Sequence, residues 1–312
     1  MLVLTELDRE RIARQRREDE FFWLDLRNPS PGDLDTMGEL LNLHPMAMED
    51  TQEFGQRPKV DLYADHLLLV YYAARMRDDV AQLIEVHIYL AGAFMVTVSR
   101  DECEALDALH TSLHEASTED EGFLVYQILD ALTDSYYPVI DGLERQIDAL
   151  EGEVLLRARR EQLSTIYRLR QNVRELLRVA GAQRDHYLAT ADAIRKLPGL
   201  RQGTNEYLRD VGDHLTQVTS ELTRQTDDLN ALTGTYFNAN SDRLNAVATR
   251  LTILGTVFVT WTVFTGFFGQ NFGWLVRHVD TAHDFLGLGL GLPLAVTALA
   301  GVVMWLKRDD WF

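Results

Sequence analysis

The run Leu251–Phe268, LTILGTVFVTWTVFTGFF, carries no charged side chain, and its reading decides the architecture. At ~1.5 Å per helical residue it is long enough to cross most of a ~30 Å hydrocarbon layer. A second uncharged run, Phe285–Leu306, meets the same test. Arg243 and Arg250 precede the first run and Lys307 and Arg308 follow the second, while the connecting segment carries Arg277, Asp280 and Asp284. Positive-inside bias therefore predicts a multi-pass protein of the cell (inner or plasma) membrane with both termini in the cytoplasm.

The first run does not read as a plain lipid anchor. Ala248, Gly255, Thr262, Gly266 and Gly269 recur at spacings of seven, seven, four and three, which places them on one helix face. That face can meet either water or a closely packed helix. Neither run contains Asp, Glu, Lys, Arg or His, so proton relays and carboxylate sites inside the membrane are disfavoured. An ion that crosses here crosses largely hydrated.

Upstream, a helical pattern free of proline extends from about Gly203 to Phe268, ~65 residues or roughly 100 Å. Its stripe of Leu215, Val218, Leu222 and Leu229 suits a symmetric bundle around an axis. Pro198-Gly199 breaks it from an earlier helical region that begins after Glu121, where Ile140, Leu143, Ile147, Leu150 and Val154 step by three and four. Long antiparallel helices are implied. Before these, β-rich runs at Phe21–Asp25, Val60–Tyr63, Leu67–Arg75, Leu83–Leu90 and Phe94–Ser99 alternate with helical patterns at Pro31–Leu43 and around Pro45–Phe54. The fold class is thus α+β: a cytosolic α/β domain followed by long helices and two transmembrane α-helices. The predicted divisions are 1–120 (α/β domain), 121–202 (antiparallel helices), 203–250 (stalk), 251–268 (first span), 269–284 (extracytoplasmic loop), 285–306 (second span) and 307–312 (cytosolic tail).

Forty-eight acidic against 30 basic side chains give a net charge of -18, which argues against a nucleic-acid partner and fits a polyvalent cation. The single Cys103 excludes an internal disulfide, and no clustered Cys/His pattern points to structural zinc. Met1–Glu20 is charged throughout and lacks the apolar core of a cleavable signal peptide. No nucleotide-binding or hydrolase motif appears, so neither enzyme activity nor an organic cofactor is expected.

Phe268-Gly269-Gln270-Asn271-Phe272 resembles the Gly-Met-Asn signature that ends the first of two C-terminal spans in the CorA magnesium/cobalt transporters. The resemblance extends to His44-Pro45-Met46-Ala47-Met48-Glu49-Asp50, Gln56-Arg57-Pro58-Lys59-Val60, Ile128-Leu129-Asp130-Ala131-Leu132 and Arg209-Asp210-Val211, and so covers nearly the whole chain. It implies a funnel-shaped homopentamer embedded in membrane lipid that admits Mg2+, with Co2+ or Ni2+ as further cargo. The matching pore positions are Asn245, Leu251, Gly255, Val259, Thr262 and Gly266, leading to a filter of Gly269, Gln270 and Asn271. Glu49, Asp50, Asp130 and Asp210 match intersubunit acids that bind regulatory Mg2+ and close the channel. Gln270 departs from the family's methionine, and the loop replaces the usual acidic motif with Gly273-Trp274-Leu275-Val276 followed by His278 and His283. A ZntB-like zinc transporter and a non-conducting, membrane-anchored metal sensor or scaffold are the alternatives.

Overall fold

Asp78 and Asp79, both in left-handed backbone (φ 51° and 60°), close a hairpin between β4 (Leu67–Arg77) and β5 (Val80–Ala91). Two-residue turns of this hand match the twist of the strands they join. The computed structural model describes residues 2–18, 20–115, 121–195, 205–270, 273–279 and 281–306. The expectations for Asn271, Asp280, the Pro198-Gly199 break and the 307–312 tail lie outside the described residues. The chain divides into two compact units, Met1–Tyr236 and Phe237–Phe312.

In the first unit the hairpin sits within a six-stranded sheet of order β1-β2-β6-β5-β4-β3. The flanking strands are β1 (Leu2–Leu4), β2 (Phe22–Arg27), β3 (Lys59–Leu62) and β6 (Phe94–Ser99). β1, β2 and β6 pair in parallel, and the remaining neighbours are antiparallel. β4 and β5 hold apolar residues at consecutive positions because helices cover both faces of the sheet. One face, with Phe22, Leu24, Leu68, Val70 and Tyr89, packs on α1 (Arg9–Glu18), α2 (Pro31–Leu41) and α3 (Pro45–Glu53) through Ile12, Met37 and Ala47. The opposite face, with Trp23, Leu69, Tyr71, Val86 and Ile88, packs on α4 (Glu104–Glu115), α5 (Glu121–Asp134), α7 (Arg160–Arg195) and α8 (Asn205–Phe268).

The expected strands are all present, with ends displaced by three residues at most. β1 and α1 were not expected. Their signal is weak because β1 has three residues and α1 buries a single apolar side chain, Ile12, beneath a charged surface. α2 stops two residues early because Asn42 turns left-handed (φ 54°, ψ 47°), a conformation asparagine tolerates. Its start was legible: Ser30 and Asp33 form a reciprocal capping box ahead of Pro31.

α6 (Tyr136–Leu156) and α7 form a hairpin joined by three residues, and Ile140, Leu143, Ile147, Leu150 and Val154 are all buried. The N-terminal part of α8 lies along this pair. Its stripe of Leu215, Val218, Leu222 and Leu229 is fully buried inside the single chain, which corrects the expectation of a symmetric bundle at those positions. The reason is local: α5, α6 and α7 supply the partners, with Gln225 Nε2 donating to Ile140 O at 2.7 Å and Arg170 donating to Thr233 Oγ1 at 2.8 Å. Apolar residues of α8 become exposed beyond Tyr236, where Leu244 is 62% and Leu251 63% accessible. Partners outside the chain are required there.

In the second unit, α8 ends at Phe268 and is followed by α9 (Gly273–His278), α10 (Ala282–Asp284), a π-helical turn (Phe285–Gly291) and α11 (Leu292–Leu306). The expected second span is therefore helical throughout but not uniformly α. Gly287, Gly289 and Gly291 permit the widened turn, and a Cβ on Gly289 would meet the Phe285 ring at 3.2 Å. Two helices are long and apolar enough in composition to cross a membrane, α8 through its C-terminal part and the helix that runs from α10 to α11, and both apolar stretches belong to the second unit.

Leu222→Ala should lower the unfolding free energy by about 2–5 kcal/mol through the cavity it leaves, read by denaturant unfolding of the detergent-solubilised chain. A change confined to subunit association, with unfolding unaltered, would contradict burial within the chain.

Candidate functional site

Asp130 and Asp210 come from helices distant in sequence and meet across the α5–α8 seam of the first unit. His214, one helical turn beyond Asp210, places Nδ1 2.9 Å from Asp130 Oδ1 and 3.5 Å from Asp134 Oδ1. Its Nε2 lies 3.9 Å from Asp210 Oδ1, and the Tyr126 hydroxyl donates to Asp210 Oδ2 at 3.0 Å. The ring edge of Tyr137 faces the imidazole from α6. One ligand atom from each of Asp130, Asp134 and His214 falls within 4.8 Å of the others, the spacing a single cation needs. Among the described residues this is the set of three or more such groups that converges.

The electrostatics suit a cation. Burial and the neighbouring Asp130 and Asp210 charges raise the Asp134 carboxyl above its ordinary value of 3.8, against a smaller opposing pull from His214. The Tyr126 hydroxyl is pushed up by burial and by its bond to Asp210, so it remains a donor. Two carboxylates with water in the remaining positions suit Mg2+, whereas engagement of the imidazole would favour zinc, cobalt or nickel.

Sequence reasoning named Asp130 and Asp210 but missed Asp134, His214 and Tyr126. Asp130/Asp134 and Asp210/His214 are both four residues apart, which puts each pair on one helix face, so the spacing held a usable signal.

Glu49 and Asp50 are not part of this cluster. They lie on α3, where Glu49 is exposed and Asp50 accepts from Lys59 Nζ at 2.7 Å. The same ammonium reaches Asp61 at 2.8 Å. Burial opposes the Lys59 charge, but these bonds outweigh it and hold the group above its ordinary value. Any cation recruited by Asp50 must compete with that ammonium. The turn beyond α3 is strained, with Phe54 at φ 55° and Gly55 at φ 75°. Glu85 holds it by accepting from Gly55 N at 2.7 Å and Gln56 N at 3.0 Å, and His87 bonds the same carboxylate beneath the Phe54 ring. This clamp fixes where α3 presents its acids.

In the second unit the expected pore positions can be placed on α8. Because the helix is unbroken to Phe268, Leu251, Gly255, Val259, Thr262 and Gly266 fall within an arc of about 80°, with Asn245 about 40° beyond its edge. Leu251 and Val259 are both 63% exposed within the chain. Thr262 Oγ1 donates to Phe258 O at 2.8 Å, and Thr252, Thr256, Thr260 and Thr265 bond back to their own helix in the same way. Each donor is satisfied without a neighbouring helix, which leaves the Thr262 oxygen free to accept from water. Gly269 N donates to Thr265 O at 2.9 Å and Gln270 N to Phe267 O at 3.3 Å, so the helix tightens as it ends. Gln270 is exposed. In the loop, His278 and His283 are exposed, and Asp284 is engaged by the Thr281 hydroxyl that caps α10.

A raised Asp134 makes a signed prediction. Between pH 3.8 and its higher folded value, the folded chain keeps a proton that the unfolded chain has lost, so stability falls as pH rises through this window and stays lowered above it. Asp134→Asn should therefore raise the thermal midpoint at pH 7 in chelator, lose that advantage below the window, and lose it again when divalent cation is added. A lower midpoint in chelator would contradict the mutual repulsion of the three acids.

The chain is 26% identical over 286 residues to the cobalt/magnesium transport protein CorA of Thermotoga maritima, covering 88% of this chain and 78% of that one. It is 25% identical over 260 residues to the zinc transport protein ZntB of Pectobacterium carotovorum, covering 82% and 77%. The solved structure of the CorA magnesium transporter from Methanocaldococcus jannaschii superposes with a TM-score of 0.78 at 21% identity, covering 93% of this chain and 91% of that one. The family description CorA-like Mg2+ transporter protein matches residues 18–308, and the chain therefore belongs to the CorA family of metal-ion transporters, which are not enzymes.

Proposed function

We propose that the chain is the subunit of a homopentameric channel that admits Mg2+ to the cytoplasm, with Co2+ or Ni2+ as further cargo. The observation that carries this reading is the uncharged face of α8, where Thr262 satisfies its donor within its own helix and which leads into Gly269-Gln270-Asn271. A ring of such faces offers water and weak acceptors but no fixed charge, so a strongly hydrated ion passes without shedding its shell. Asn245 forms a polar ring at the inner mouth, Leu251 and Val259 form apolar rings that resist wetting, and Gly255, Thr262 and Gly266 keep the intervening path open. Gly269, Gln270 and Asn271 form the filter at the outer mouth. An inside-negative potential drives entry with about 4.6 kcal/mol per 100 mV for a doubly charged ion.

Both termini and the 1–250 portion lie in the cytoplasm, with 251–268 and 285–306 crossing the cell membrane, 269–284 outside and 307–312 returning inside. Regulation comes from Mg2+ at Asp130 and Asp210 on one side and at Glu49 and Asp50 on the other, held between subunits. Bound ion offsets carboxylate repulsion and favours the closed assembly; its loss favours separation of the subunits. Asp134 and His214 extend this set.

A zinc-transporting reading is kept open by one observation: an imidazole lies among the carboxylates at His214, a ligand that favours softer metals than Mg2+. Proteoliposomes loaded separately with magnesium- and zinc-sensitive dyes separate the alternatives. We expect magnesium uptake that Asn271→Ala abolishes without dissociating the oligomer and that Asp210→Lys frees from inhibition by internal Mg2+. Zinc uptake without magnesium uptake would replace this reading with ZntB-like transport, and uptake of neither would leave a metal-binding scaffold.

A further inference from the structure

We propose that the tip of the α6–α7 hairpin, Leu155–Arg160, docks on the anionic headgroup surface of the bilayer that holds the chain. Leu156 is 89% exposed and Leu155 66%, whereas Val154 and Ala158 on either side are buried. The link is built to hold this arrangement. Arg157 is extended (φ -164°, ψ 107°) and its N–H donates to Glu153 O at 2.9 Å, while the buried Gln162 accepts from Arg159 N at 2.8 Å through Oε1. The two leucines are thus fixed outward.

Arg157, Arg159 and Arg160 are exposed, and among the described residues none of their side chains enters an ion pair. From Val154 to Arg160 the chain has three cations and no acid, within a protein of net charge -18. Glu151, Glu153 and Glu161 flank the segment, and Glu153 lies within reach of Gln162 Nε2. Adjacent leucines among unpaired guanidinium groups match the boundary between acyl chains and phosphate: the apolar side chains enter and the arginines grip phosphate oxygens. A purely apolar protein groove would leave the arginines desolvated, and a purely acidic one would leave the leucines in water.

The tip also lies at a suitable end of its unit. The Tyr187 hydroxyl donates to Leu208 O, Arg184 to Thr219 Oγ1 and Arg170 to Thr233 Oγ1. α7 therefore runs antiparallel to α8, and the tip belongs to the end of the first unit from which α8 leaves for the uncharged run. The inference rests on membrane residence and not on which ion is carried.

The test uses the full chain spin-labelled at Leu156→Cys, with Leu188→Cys as a second site; native Cys103 is buried and its thiol is pushed up to about 11, so it stays unlabelled. In phosphatidylcholine vesicles containing phosphatidylglycerol, the Leu156 label should collide several-fold more often with oxygen and less with a water-soluble nickel chelate than in phosphatidylcholine alone. High salt or the combined Arg157→Glu, Arg159→Glu and Arg160→Glu changes should remove the difference. The proposal is overturned by a label equally exposed to water in both membranes, by equal protection at Leu188, or by protection that persists in neutral detergent, which would assign the tip to a second copy of the chain.

Discussion

A doubly charged ion cannot enter hydrocarbon without replacing its water, and the two membrane runs of this chain contain no charge with which to replace it. That constraint organises the rest of the molecule. With no carboxylate in the spans, the path proposed above is a wet one, along which no fixed charge holds the ion tightly. On the face of α8 proposed as the lining, Thr262 donates to a carbonyl of its own helix, so that face is polar there without demanding a partner. Fixed negative charge is displaced to the other unit, where Asp130, Asp134 and Asp210 gather around His214.

α8 carries both kinds of chemistry. Asp210 and His214 occupy its N-terminal turns, and Gly255, Thr262 and Gly266 occupy its C-terminal ones. Packing differs along its length for a physical reason. The N-terminal stripe is buried by α5, α6 and α7 within the same chain, while the apolar residues beyond Tyr236 find no cover there. A change of charge at the acid cluster therefore acts on a helix held by its own subunit, and the exposed remainder is the part available for packing against other copies and lipid.

Much of this was legible from the amino-acid sequence. The two spans stood out because charge vanishes from them, and the 64-residue helix was nearly delimited by the absence of proline and the break before it. β1 and α1 were missed because a three-residue strand and a helix with a single buried apolar residue leave almost no periodic signal. The stripe Leu215–Leu229 was read as an interface between subunits because periodicity reports that a face is covered and not what covers it. Asp130 and Asp210 were named from a motif, whereas Asp134 and His214 were marked only by lying one turn beyond each of them, and the seam of α5 against α8 shows that the two pairs converge. The π-helical turn at Phe285–Gly291 follows from three alternating glycines whose effect on a helix is permissive rather than directive.

The central claim is that voltage and the ion's own gradient move a divalent cation through an uncharged path. Its most direct test is the reversal potential of current through the full-length chain in a planar bilayer as the magnesium gradient is varied. The reversal potential should shift by about 30 mV per tenfold change in gradient, the value for a doubly charged ion moving alone, and the shift should be unaltered when the pH gradient is collapsed. A reversal potential that follows the proton gradient, or a membrane that passes no divalent current when chelator is present on the cytoplasmic side alone, would contradict it.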